Sequence, residues 1–266
     1  DIPILIQNAE NNKRPYIHPI VAPDGKGILT EDQPSHHLWQ HGLYIGLNDV
    51  NGIGFWTEGL SEKRKLDGTF HPKRLAPPNV NKNIVNWTVE TDYRAPGGKH
   101  IMTEFQKWIL KDMQNHYEMQ LTWKLAANID LRFGKYSYGG LFLRMPYRKE
   151  LEAQILNSEG KNTQIATEAQ RARWVAISMP IEGRTDKAGI AILDHKDNPD
   201  HPVCWRADGT FGICPSRCIA GEWRLSKTQT TVSKYRIYVF CGNIDPLAIE
   251  GQWQSFCQTE REVTHE

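Results

Sequence analysis

Short alternating runs dominate this chain. Residues 101–110 and 117–123 alternate apolar with polar positions, the period of a half-buried strand, and 112–116 between them reads as a hairpin turn. Residues 173–179, 189–193 and 234–240 continue the pattern, and 42–47 is a further strand candidate. Glycine and proline punctuate these runs throughout. Helical periodicity is scarce; Pro246–Gln258 fits it best, with Leu247, Ile249 and Trp253 on one face. The polar stretch 79–86 reads as a loop. Many short strands at regular spacing predict an all-β fold, an antiparallel β-sandwich with few short helices. No internal repeat or linker divides the chain, so one domain over 1–266 is expected.

Charge sharpens the picture by exclusion. The chain has 32 Lys and Arg against 31 Asp and Glu. No half is strongly basic, so neither a nucleic acid nor an anionic membrane is expected as partner. No run approaches the ~18 apolar residues of a spanning helix. Nine tryptophans and nine tyrosines are a generous supply, which a large β core would use and which sugar stacking would use too, since aromatic faces suit the C–H faces of sugar rings. Of the five cysteines, Cys214 and Cys218 are spaced loosely like a metal pair, with no second pair to match. Buried thiols or one disulfide are expected instead. The opening Asp1-Ile2-Pro3, without methionine or an apolar segment, reads as a mature chain whose export signal is missing.

Three segments offer chemistry. Residues 35–42 hold His36, His37, Trp39 and His41 just ahead of an apolar run. Histidine titrates near neutral pH and is the commonest metal ligand. If the segment is extended, His37, Trp39 and His41 share a face and both imidazoles can reach one sugar chain. If it is helical, His37 and His41 sit four apart and could share a metal, although the zincin glutamate is replaced by Leu38. No cofactor is expected on balance. In the second segment, Tyr138 precedes a Gly139-Gly140 pair, and Arg144 ends an apolar run. A guanidinium there must meet either a core carboxylate or a polar substrate group. The third segment runs from Asp194 and His195 through Asn198-Pro199 to Trp205 and Arg206. Its strand-end turn is a usual place for functional groups, with His195 as an oriented base. Serine-hydrolase, phosphate-loop and dinucleotide signatures are absent. Glu58, Glu104, Glu159 and Glu222 are unranked candidate acids.

Taken in order, these segments resemble the bacterial PmoA-like family of unknown function. The resemblance is carried by Pro23-Asp24-Gly25, Pro34 to Gly42, Phe55-Trp56, Tyr138 to Met145, Asn157 to Gly160, Ala188 to Pro199 and Trp205-Arg206. It runs from about residue 16 to 242. Together with the β-rich pattern it implies a galactose-mutarotase-like supersandwich in a periplasmic or secreted protein acting on an oligosaccharide or glycoside. The implied activity is that of a glycoside hydrolase or lyase. His37, His41, Arg144 and His195 would be catalytic, while His36, Trp39, Tyr138, Asn198, Trp205 and Arg206 would bind substrate. Two alternatives stand beside it, a non-catalytic carbohydrate-binding protein and a metal-dependent sugar lyase or epimerase. The oligomeric state is not legible.

Overall fold

The computed structural model describes residues 3–61 and 66–258. Two antiparallel nine-stranded sheets make up the architecture. The first sheet runs in the order Leu5–Asn8, Tyr16–Ile20, Leu43–Val50, Gly140–Leu143, Ile213–Pro215, Trp205–Ala207. The second runs Gln154–Asn157, Trp174–Pro180, Lys187–Asp194, Thr230–Cys241, His116–Ala127, His100–Asp112, Ile84–Arg94, Thr69–Pro72. The expected alternating strands are the long central members of the second sheet, and 112–116 is the tight turn joining two of them, with Asp112 paired to Tyr117. Residues 79–86 are not a loop. Asn79 pairs with Asn86 in a short edge hairpin, because the polar side chains there sit on exposed backbone that can still complete a ladder.

The core lies between the sheets. Ile17, Leu43, Leu143, Ile213 and Ala207 form one transverse row on the inner face of the first sheet. They pack with Met119, Leu121, Ile190, Ile237 and Val239 from the second, in a single continuous cluster. The neighbouring row on the first sheet points outward: Tyr16, Tyr44, Phe142, Cys214 and Arg206. This outer row is apolar for most of its length and forms a second packing layer with Trp56. Trp56 can lie over the sheet because position 46 is glycine; a Cβ there would stand 2.5 Å from the indole.

The helix Pro246–Gln258 covers part of the outer face of the second sheet. It does so through Ile249, Trp253 and Phe256, while Leu247 is 83% exposed and takes no part. The other two helices, Gln164–Thr167 and Arg217–Ala220, are single turns. Among the described residues no helix is long and apolar enough to cross a membrane. All five cysteines are free thiols, and four of them are buried.

Candidate functional site

The candidate site is built on the outer face of the first sheet by the loop that enters strand Leu43–Val50. The loop is pinned at its base by the bridge between Asp32 and His41 and by Gln33 N–H donating to Gln40 O at 2.8 Å. Its tip is two successive turns, closed by His37 N–H to Pro34 O and Gln40 N–H to His37 O. It is therefore neither extended nor helical, and the two patterns drawn from the sequence both fail locally. The turns send His37 and Trp39 one way and His41 the other.

His37 and Trp39 stand edge to face, with ring centroids 5.4 Å apart, over a hollow of about 270 Å3. Trp56 and Phe142 lie at its bottom, and Tyr138 sits against Trp56 at 4.2 Å. Arg206, Asp208 and Thr210 form the opposite side. Two nitrogens here are buried without a partner, His37 Nδ1 and Trp39 Nε1. Buried polar groups are nearly always paired in folded proteins, so two orphans beside one hollow mark a place where a ligand would complete the bonding. Burial, helped by His36 and Arg144, lowers the His37 pKa and keeps the imidazole neutral near pH 7. His36 itself is exposed and touches the site only through the His37 ring, 4.9 Å away.

Arg144 lies beneath the hollow rather than in it. Its Nε donates to Gln40 Oε1 at 2.7 Å, Nη1 to Thr210 O at 2.8 Å and Nη2 to Asp208 Oδ2 at 3.1 Å. A guanidinium sealed in this way must be saturated by protein, so Arg144 positions the loop and Asp208 and does not meet substrate. Asp208 also accepts from Thr210 and Gly212 N–H; burial would raise its pKa, but Arg144 and these donors lower it. The same turn holds Phe211 at φ +59°, a left-handed position for a bulky residue. Strain of this kind persists where the surroundings over-determine the backbone, and it clusters at functional sites.

Four of the other expected site residues are elsewhere. His41 is fully buried, stacked on Tyr16 at 4.3 Å. Its Nδ1 bonds Asp32 Oδ1 at 2.5 Å and its Nε2 bonds Glu58 Oε2 at 3.1 Å. Burial disfavours the imidazolium, yet the two carboxylates outweigh it and raise the pKa. For Glu58, burial would raise the pKa, but Arg14 and His41 bring it down to about 2. His41 and Glu58 are thus members of a buried row of alternating charge, Arg14–Glu58–His41–Asp32. His195 is sealed under the helix Pro246–Gln258 against Phe256, and Asp194 orients His201 instead, at 2.7 Å. Asn198 staples that turn to Asp194 Oδ1 and to the backbone of Lys234. Trp205 points into the core, its Nε1 bonded to Ala172 O at 2.8 Å, because strand alternation gives the outer face to Arg206. Of the candidate acids, Glu104 is in the core, where burial raises its pKa to about 7, and Glu159 and Glu222 are exposed.

His36, His37 and His41 do not converge, and among the described residues no three His, Cys, Asp or Glu side chains gather as metal ligands. A larger cleft of about 730 Å3 opens at the base of the loop, where three sets of polar groups are already matched: His18 with Thr30, Asp32 with His41, Glu31 with Arg148. The hollow beside His37 is lined by two of the buried polar atoms that lack a partner among the described residues. The sequence-based site residues did not include Gln40, Trp56 and Asp208, which line it. Trp56 was visible as part of the Phe55-Trp56 motif and Gln40 as part of the histidine-rich segment 35–42, whereas nothing in the sequence singles out Asp208.

The fold is similar to that of galactose 1-epimerase from Lactobacillus acidophilus NCFM, at 9% identity over 90% of this chain and 95% of that one, with a TM-score of 0.42. A galactose mutarotase related enzyme from Lactobacillus acidophilus gives 9% identity, 88% and 97% coverage and a TM-score of 0.35. An α-galactosidase from Geobacillus stearothermophilus gives 10% identity over 81% of this chain but only 32% of its own, with a TM-score of 0.31. No curated protein sequence matches. Residues 6–254 match one family along their whole length, and by that match, which carries no PmoA-like label, the chain belongs to the family of unknown function DUF6807.

Proposed function

We propose that this protein is a carbohydrate-active enzyme that takes a sugar ring of an oligosaccharide or glycoside into the hollow beside His37. The observation that carries this reading is the pair of orphaned nitrogens, His37 Nδ1 and Trp39 Nε1, set among aromatic faces in a space of sugar-ring size. A pyranose has C–H faces to stack on Trp39, Trp56 or Tyr138 and a rim of hydroxyls to meet the orphans and Arg206. His37 is the proton-transfer group. A neutral imidazole with a pKa below its usual value accepts a proton at physiological pH and returns it later in the cycle, as hydrolysis or elimination both require. Asp208 stays ionised under Arg144 and supplies a fixed negative charge beside the ring rather than a mobile proton.

The test is a panel of oligosaccharides and aryl glycosides against the wild-type protein, His37→Gln and Trp39→Ala. Trp39→Ala should lose affinity; His37→Gln should keep affinity and lose turnover. Wild-type levels of binding and turnover in both variants would end the reading. The locking of Asp208 by Arg144, Thr210 and Gly212 favours one alternative, a non-catalytic sugar-binding protein, since it withholds the second mobile carboxyl that two-carboxylate hydrolysis uses. Trp39-dependent binding with no turnover in the wild type would decide for that alternative.

A further inference from the structure

The charges at the hollow and directly behind its lining are already matched in pairs. Arg206 Nη1 donates to Glu168 Oε1 at 2.7 Å, and Arg144 Nη2 donates to Asp208 Oδ2 at 3.1 Å. Two guanidiniums therefore face two carboxylates, and His37 adds no charge near neutral pH. The groups left with unmet bonding, Trp39 Nε1 and His37 Nδ1, are uncharged.

Glu168 is held firmly in its masking position. It closes the short helix Gln164–Thr167, its own N–H donating to Gln164 O at 2.8 Å. The next residue, Ala169, sits at φ +59° and donates its N–H to Trp205 O at 2.7 Å. Glu168 Oε2 then accepts from Ala207 N–H at 2.6 Å. The segment is thus tied to the strand on both sides of Arg206, through the Ala169 amide before it and the Glu168 carboxylate after it, and withdrawing the carboxylate would leave the Ala207 amide without its acceptor.

From this balance we infer that the hollow selects an uncharged sugar over a uronate, and that Glu168 sets the selectivity by masking Arg206. The inference rests on the sugar-binding reading of the same hollow. A ligand carboxylate entering here would meet a guanidinium whose charge Glu168 already offsets, and would lie beside the Asp208 carboxylate on the same side of the hollow. A hydroxyl meets neither obstacle: it accepts from Trp39 N–H, pairs with the imidazole and shares the free edges of Arg206.

The experiment is calorimetric titration with methyl glycosides of neutral hexoses and the matching methyl hexuronates, using the wild-type protein, Glu168→Gln and Trp39→Ala. The amide in Glu168→Gln still offers an acceptor to Ala207 while removing the charge over Arg206. The wild type should bind the neutral glycoside at least about tenfold more tightly than the uronate, and Glu168→Gln should erase that margin by a gain of about tenfold in uronate affinity. A wild-type preference for the uronate would overturn the inference, and this comparison needs no variant to fold. An unchanged ratio in folded Glu168→Gln would overturn Glu168 as the selector. A uronate preference that Trp39→Ala abolishes leaves the sugar hollow standing and removes only the charge selectivity. Failure of both ligands to bind, or binding indifferent to Trp39→Ala, removes the hollow reading and this inference together.

Discussion

His37 and His41 leave one loop in opposite directions and meet opposite chemistry. His37 is half-buried beside an open hollow, loses charge through burial, and has a ring nitrogen with no protein partner. His41 is sealed, gains charge from Asp32 and Glu58, and has both ring nitrogens bonded. Both are imidazoles four residues apart, so residue type carries no information about role. What separates them is saturation. A group whose bonds are all met by protein holds the fold together, and a group whose bonds are unmet is available for a ligand.

The largest test of this contrast is His41→Ala. It leaves Glu58 and Asp32 facing each other without the cation between them, and removing one partner of a buried ion pair costs about 3–5 kcal/mol. Chemical denaturation should show a loss of that order, whereas His37→Ala should change stability by less than ~1 kcal/mol. Equal losses in the two variants would erase the distinction.

The two histidines also titrate in opposite senses. The folded pKa of His41 lies above its unfolded value of about 6.5, so its contribution is complete below that pH and disappears as pH rises through the folded pKa. Glu58, at about 2 when folded, contributes above its unfolded value near 4.5 and loses this as pH falls toward 2. Glu104, at about 7 when folded, binds its proton more tightly in the native state, so stability also falls as pH climbs from about 4.5 to 7. On these three groups unfolding midpoints should therefore peak near about pH 4.5, decline on the alkaline side as Glu104 and then His41 lose their protons, and decline on the acid side as Glu58 gains one. His41→Ala should flatten the alkaline decline, and a decline of unchanged steepness would remove His41 as its source. His37 points the other way: turnover should hold as pH is lowered through about 6.5 and fail only on further acidification, when the imidazole finally charges.

A smaller effect belongs to Trp39→Ala, which removes one stacking face and one orphan donor. A loss of about 1–2 kcal/mol, roughly tenfold in ligand Kd, is expected from calorimetry. The smallest comes from Leu38→Ser. Leu38 is 50% exposed between the two aromatic ends of the loop, so the change should stay within ~0.5 kcal/mol in stability and leave ligand affinity unaltered. A large effect there would show that the loop tip packs on something in solution.

Much of the sheet architecture was readable from alternation alone. The runs at 101–110, 117–123, 173–179, 189–193 and 234–240 are all strands of the second sheet, and Pro246–Gln258 is a helix with the anticipated bounds. Alternation is a local property, enforced by the pleat, so it survives in a single sequence. The site was legible only in part. His37, Trp39, Tyr138 and Arg206 do gather at one hollow, but Trp205, Asn198 and His195 are structural, and Arg144 supports from beneath.

The sequence by itself determined the periodicity, and with it which of the longer alternating stretches form strands. Only the tertiary structure decided which side is the core, because that depends on the partner sheet. It also decided the fate of each polar group, since the saturating contacts join residues far apart in the chain. Gln40 and Arg144 are 104 positions apart, and Arg144 and Asp208 are 64. A hydrogen bond closes over a few ångströms whatever the separation along the chain, so no local pattern records it.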